Sequence, residues 1–173
     1  MTLELVHHDH TTAKAIRQTL IDVHAEVYAA QMDDPFVQRF PWFVDHWSEN
    51  PGFTCVIGYD EGEPVGYAYG AAQREGAEWW QGHRTTPRPA SGTRTYAVSE
   101  IMVRRQWRKT GTAHRIHEAL LAERPEALSV LLVDTAHPKV RSLYESWSYT
   151  QVGTQQPFPD SPLFAVMVRA LRP

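Results

Sequence analysis

Apolar positions along the chain change period several times, and each change predicts an element. Leu3-Glu4-Leu5-Val6 is short and partly alternating, which predicts a first strand. Ile16, Leu20, Val23 and Val27 then recur at helical spacing, with Thr11 or Thr12 placed to cap the helix they define. Asp33-Asp34-Pro35 ends that helix and opens another, since proline suits a first turn. The second helix is expected to run from Pro35 to Ser48 with Phe36, Phe40, Phe43 and Trp47 on it, and Pro41 is placed to kink or split it.

Asn50-Pro51-Gly52 is a turn. Phe53 to Tyr59 and Val65 to Ala72 read as strands joined by Asp60-Glu61-Gly62-Glu63, too short a connection for a crossover, so the pair is antiparallel. Tyr67 and Tyr69 share a face of the second. Gln73 to Thr93 lacks periodicity and holds Gly76, Gly82, Pro87, Pro89 and Gly92 around Trp79-Trp80; a loop of that length in a compact domain is functional or mobile. Thr95 to Val103 is a strand, and Thr112 to Glu123 a helix with Ile116 and Leu120 inward. Leu128 to Val133 is a continuous apolar run, the pattern of a strand buried on both faces. Pro138 to Trp147 is a helix whose apolar face holds Val140, Leu143, Tyr144 and Trp147. Thr150 to Gln155 and Leu163 to Arg169 are the last strands. The order β-α-α-β-β-β-α-β-α-β-β describes one α/β domain over residues 1–173, a mixed sheet of about seven strands flanked by about four helices. No repeat or linker interrupts it.

Composition narrows the chemistry. The 173 residues are enough for one buried core, and 42% apolar with 21% charged residues is a globular balance. A net charge of −3 offers no basic face for nucleic acid. No stretch approaches the roughly 20 apolar residues of a membrane span, and the polar, His-rich start is not a signal peptide, so a cytoplasmic location is expected. The single cysteine, Cys55, lies in the run Phe53 to Ile57 and is expected as core filler. The nine histidines form no metal set: His7, His8 and His10 read as a solvated turn, and His114 and His117, expected to face solvent or ligand, lack a third partner.

The strand ending at Val103 feeds a polar turn, Arg104 to Gly111, and then a helix. Free amides and the helix dipole make such a junction an anion site. Arg108 and Lys109 stand at its mouth, Thr110 and Thr112 flank Gly111, and Ala113 keeps the first helical turn slim. An ordinary βα loop with a solvated basic cluster has the same composition.

Arg108-Lys109-Thr110-Gly111-Thr112-Ala113 resembles the R/Q-x-x-G-x-G/A signature of the GNAT acetyltransferases, with Val103 where that family ends its strand and Arg105 in place of its usual proline. His137-Pro138-Lys139-Val140-Arg141-Ser142-Leu143-Tyr144 resembles the family's N-x-x-A-x-x-x-Y helix, with His137 for Asn and Val140 for Ala. The two motifs cover residues 95–150. The resemblance implies a coenzyme A pyrophosphate held by the 108–113 turn, a pantetheine arm bonded by the backbone of Ile101, Met102 and Val103, and further coenzyme contacts at His137 and Arg141. It implies that Tyr144 protonates the leaving thiolate; on its own, Tyr144 reads as a core aromatic.

Glu100 is the candidate base, a carboxylate in an otherwise apolar strand near its carboxyl end, where partial burial would raise its pKa. A strand-face Glu paired with Arg94 or Arg104 is the alternative. The expected reaction is direct transfer of an acetyl group from acetyl-coenzyme A to a primary amine of a small molecule, without a metal. The rivals are a coenzyme-binding sensor without turnover and an enzyme with another acyl donor or a hydroxyl acceptor. Phe36, Phe40, Trp47, Trp79 and Trp80 are the expected acceptor lining, since aromatic faces suit flat bodies and cations. The sequence leaves a homodimer open.

Overall fold

The computed structural model describes residues 1–81 and 84–172; Gly82 of the long loop, His83 and Pro173 lie outside the described residues. The seven strands are β1 (Leu3–Asp9), β2 (Phe53–Asp60), β3 (Glu63–Ala72), β4 (Thr95–Val103), β5 (Leu128–Asp134), β6 (Thr150–Gln155) and β7 (Phe164–Ala170). The five α-helices are α1 (Ala13–Val27), α2 (Pro35–Gln38), α3 (Phe40–Ser48), α4 (Thr112–Leu121) and α5 (Pro138–Ser146). The sheet order is β1-β2-β3-β4-β5-β7-β6, with β4 and β5 parallel and β1/β2, β2/β3, β5/β7 and β6/β7 antiparallel. This is the expected mixed α/β sheet. The fifth helix arises because the 35–48 segment breaks at Arg39: Pro41 lacks an N–H and fits only the first turn of a new helix.

Contacts divide the chain into two compact units, Met1–Ala71 with Ser99–Glu123, and Ala72–Val98 with Arg124–Pro173. In the first, β-alternation turns Phe53, Cys55 and Ile57 of β2 and Tyr67 and Tyr69 of β3 to one face, where they meet Ala13, Ile16, Leu20 and Val23 of α1 and Phe40 and Val44 of α3. Each such side chain stabilises by about 1.5–3 kcal/mol when fully buried, so Leu20→Ala should cost about 2–5 kcal/mol. Arg17 clamps Asp45 with two bonds, at 2.6 and 3.0 Å, tying α1 to α3. α4 packs against β1 and β2. There Ile116 is fully buried close to Gly58, where even a methyl would stand 3.1 Å from it. Cys55 is core filler as expected, and burial pushes its thiol pKa far up.

In the second unit β5 lies between β4 and β7. The hydroxyls of Ser129 and Tyr149 bond at 2.8 Å inside it. Arg124 pairs with the buried carboxylate of Glu126 and lays its guanidinium 4.6 Å from the Tyr96 ring centre. The long loop is anchored: Gln73 N–H donates to the Thr95 carbonyl at 3.0 Å, Trp79 Nε1 to Thr95 Oγ1 at 3.2 Å, and Thr86 N–H to the Val152 carbonyl at 2.9 Å. Gly153 is required there, because a Cβ would stand 2.6 Å from the Arg84 carbonyl.

Several expectations are corrected. Thr12 takes the N-cap position of α1 but bonds no helix amide; its hydroxyl turns to Asp9 instead. α4 stops at Leu121 rather than Glu123. Leu132 is exposed, so β5 is not buried on both faces throughout. Val140 and Leu143 are exposed too, and α5 buries none of its residues; only Trp147, just past its end, reaches the interior.

Candidate functional site

The turn between β4 and α4 is held from within. Trp107 is buried and its Nε1 donates to Asp60 at 3.0 Å. Thr110 donates to the Trp107 carbonyl at 2.5 Å and its hydroxyl meets that of Thr112 at 2.7 Å. Arg108 folds back to donate from Nε to the Val103 carbonyl at 3.3 Å. These bonds leave the backbone as the outward-facing chemistry. Lys109 (φ 60°) and Gly111 (φ 82°) both take left-handed conformations, a pairing with ordinary residues that curls successive amides into an anion-binding concavity. Gly111 is the N-cap of α4, and nothing lies within 4 Å of where its Cβ would be. The first amides of α4, from Thr112 and Ala113, have no partner within the helix and carry its positive dipole end.

Thr112, Met102 and Val103 are buried and Ile101 partly so, and any role for Ile101 to Val103 falls to backbone groups. The recorded β4–β5 register covers Thr95–Val98 against Leu128–Leu131, and β4 runs on to Val103 beyond it.

Two backbone bonds reveal how β3 and β4 run past each other. Arg104 N–H donates to the Val65 carbonyl at 2.8 Å, and Gln73 N–H to that of Thr95. The chain advances eight residues from Val65 to Gln73 but nine from Thr95 to Arg104. β4 therefore holds one extra residue, a bulge in which two residues oppose one. The extra residue lies between Thr95 and Arg104.

Glu100 keeps some accessible surface, yet enough of the fold surrounds its carboxyl that burial pushes the pKa up to about 7. No cation offsets that burial. Arg104 is engaged elsewhere, by Glu26 and Glu63, each at 2.6 Å. A carboxyl half-ionised near neutral pH is the form a general base requires.

In the second unit Tyr144 is half-buried on α5, its ring 5.4 Å from Trp147 and 6.2 Å from Tyr149. His137 is the N-cap of α5 but makes no side-chain cap bond; its ring faces Asp134 at 3.6 Å. Arg141 lies 3.7 Å from Glu145 and 3.4 Å from Gln151.

The aromatic residues separate into two kinds. Phe40 is buried, stacked 3.8 Å from His24, and Trp80 is buried edge-on to Trp79. Phe36 and Trp47 are partly exposed. Phe36 joins Phe43 at 5.5 Å beneath the Arg39 guanidinium, and Trp42, 53% exposed, stacks on His46. Arg39 and Trp42 were not among the sequence candidates; the i, i+3 and i+4 spacing of Arg39, Trp42, Phe43 and His46 was the available signal. His117 is fully buried rather than facing ligand or solvent, because position 117 follows Ile116 onto the packed side of α4. Among the described residues no His, Cys, Asp and Glu cluster could hold a metal ion, and no helix is long and apolar enough to cross a membrane.

The Acetyltransferase (GNAT) family model matches residues 14–149, which run through both units. No curated protein matches significantly. Among solved structures, an aminoglycoside 6'-acetyltransferase type Ii is similar at 18% identity and TM-score 0.67, with 98% of each chain covered. ElaA of Escherichia coli is similar at 13% identity and TM-score 0.67, over 97% of this chain and 99% of that one. The PaiA N-acetyltransferase of Thermoplasma acidophilum, in complex with coenzyme A, is similar at 7% identity and TM-score 0.62, over 98% of this chain and 99% of that one. At these identities the likeness establishes the fold.

Proposed function

The chain belongs to the GNAT acetyltransferase family, and from that premise we propose that it transfers an acetyl group from acetyl-coenzyme A to a primary amine of a small molecule. The observation that carries the reading is the β4–α4 turn, whose left-handed Lys109 and Gly111 present amides outward at a helix N-terminus. That arrangement fits a pyrophosphate. The 108–113 segment would hold it, with Arg108 and Lys109 adding charge and Thr110 and Thr112 bracing the turn. The backbone of Ile101, Met102 and Val103 would hold the pantetheine arm, and His137 and Arg141 would meet the coenzyme from α5. When bound, acetyl-coenzyme A supplies an activated thioester.

The residues of the chain then handle protons and orientation. Glu100, titrating near neutrality, accepts the proton of the attacking amine. Backbone N–H near Ile101 polarises the thioester carbonyl. Tyr144, matched to the family motif, gives a proton to the departing sulfur; a phenol does this without bearing charge. Phe36 and Trp47 offer ring surface to the acceptor, and Trp79 adds to it from the long loop. Phe40 and Trp80 are buried and offer no ring surface to it.

Thermal denaturation with acetyl-coenzyme A, and an amine screen that detects released thiol, test the reading. Stabilisation by the coenzyme together with amine-dependent thiol release is the expected result. Stabilisation without release from any amine would favour the sensor, and no stabilisation at millimolar coenzyme would remove the donor assignment.

A further inference from the structure

The β2–β3 hairpin meets the end of β4 and the turn after it at several points. The Arg104 guanidinium donates to Glu63 at 2.6 Å and to the Pro64 carbonyl at 3.2 Å, beside the backbone bond from Arg104 N–H to Val65. A Cβ on Gly66 would stand 2.6 Å from the Met102 carbonyl and 3.0 Å from the Val103 Cα, so the two strands touch there by backbone alone. A further contact differs in kind: Trp107 Nε1 donates to Asp60 at 3.0 Å. That bond reaches the turn itself, and its donor belongs to a ring that is almost wholly buried.

Both ends of the bond are placed by the fold. Alternation along β2 sends Phe53, Cys55 and Ile57 into the core beneath α1 and turns Gly58 and Asp60 toward the face that carries α4. Asp60 pairs with Leu3 of β1 and Glu63 of β3, so the sheet holds it from both sides. Trp107 ends a single 3-10 turn, with the Arg104 guanidinium 5.6 Å from its ring centre. A buried indole N–H needs an acceptor, and Asp60 fixes which way the ring enters. The consequence runs down the turn. The Trp107 carbonyl accepts the Thr110 hydroxyl at 2.5 Å, and that hydroxyl meets the one of Thr112 at 2.7 Å. Between the two threonines Gly111 takes φ 82° and caps α4. A rigid position in the sheet is thereby linked, through one indole, to the amides that face outward.

We propose that Asp60 is a positioning residue for coenzyme binding: without touching the coenzyme, it holds Trp107, and through Trp107 the 108–113 turn, in the form that fits a pyrophosphate. The inference rests on the reading of that turn as the coenzyme site. The charge of Asp60 argues against direct contact, because a carboxylate repels phosphate. Arg104 is likewise a brace and not a phosphate ligand, since Glu26 and Glu63 both occupy it. The hairpin therefore contributes shape to the site, and the amides with Arg108 and Lys109 contribute the attraction.

Coenzyme A is the probe, titrated by calorimetry into the full chain well below its melting range. Asp60→Ala should weaken Kd by roughly tenfold. Asp60→Asn keeps an oxygen that accepts from the indole and should stay within about twofold of wild type. Trp107→Phe keeps a ring and loses the donor, so it should lose the same factor as Asp60→Ala, and the double variant should lose no more than either. Arg17→Ala breaks the tie between α1 and α3 and is the control for stability: its melting temperature should fall while its Kd holds. With an amine that turns over, Asp60→Ala should raise KM for acetyl-coenzyme A by the same factor, with kcat and KM for the amine constant. Where Asp60→Ala does not fold, Trp107→Phe carries the comparison. Equal Kd in wild type, Asp60→Ala and Trp107→Phe overturns the proposal, as does an additive loss in the double variant. A wild-type chain that takes up no coenzyme A at millimolar concentration removes the coenzyme reading itself, so wild type alone tells the two failures apart.

Discussion

Glu100 and Tyr144 are the two residues proposed for proton transfer, and they live in opposite surroundings. Glu100 sits on a bulged strand with its carboxyl enclosed by the core of the first unit, and burial alone raises its pKa to about 7. Tyr144 sits on a helix that buries none of its own residues, half-covered by Trp147 and Tyr149. The comparison teaches that a base and an acid make different demands on a fold. A carboxylate must be desolvated to hold a proton near neutral pH, whereas a phenol already holds its proton there and needs only placement.

The largest effect that would sharpen this contrast is at Tyr144. Tyr144→Phe keeps the ring and its packing, so it should cut kcat by roughly 10²–10⁴-fold while Kd for acetyl-coenzyme A and the melting curve move little. A kcat within about threefold of wild type, with chemistry rate-limiting, would make Tyr144 a packing residue and erase the comparison. Glu100→Gln should lower kcat/KM over a similar or smaller range and remove the acidic limb of its pH profile. A retained limb would pass the role of base to another group.

The turn that both roles depend on is tested by Gly111→Asp, which puts a side chain at φ 82° and a negative charge beside the amides. Wild type at 100 times Kd of acetyl-coenzyme A should gain about 2.7 kcal/mol of stability, and the variant none. Equal thermal shifts in the two proteins would free the turn of its anion role.

Stability against pH probes the burial of Glu100 without any ligand. Its folded pKa is raised from 4.5 to about 7, so its contribution is full below pH 4.5 and is lost as pH rises toward 7. His24, buried between Tyr28 and Phe40, is lowered from 6.5 to about 4, so its contribution is full above pH 6.5 and is lost as pH falls toward 4. The two oppose each other between pH 4.5 and 6.5. Wild type should be nearly flat there, and Glu100→Gln should gain about 2 kcal/mol across the window as only the His24 slope remains. Asp9, Asp45 and Glu78, all lowered by hydrogen bonds, act below it. The same His24 slope in wild type and variant would mean that Glu100 is not desolvated in solution.

The smallest expected effect concerns the acceptor. Replacing Trp79 and Trp80 together with Ala should raise KM for the amine more than for acetyl-coenzyme A. Because Trp80 is buried and Trp79 bonds Thr95, a fall in melting temperature is expected as well. Trp79→Phe, which removes the indole donor and part of the ring but leaves Trp80 intact, separates the contributions of the two residues.

The sequence by itself determined the element order, the α/β class and the turn after β4, because those follow from local pattern: alternation in strands, 3.6-residue spacing in helices, and a glycine where φ must be positive. It also placed Glu100 in an apolar strand and Tyr144 at motif spacing. Tertiary structure decided which apolar positions are covered. Val140, Leu143 and Leu132 fit a buried pattern and are exposed, while His117 fits a surface pattern and is buried, since periodicity gives a face but not what packs on it. The β4 bulge was equally invisible, because an extra residue shows only against a partner strand. That extra residue is created by pairing between separate segments of the chain and by nothing local to either.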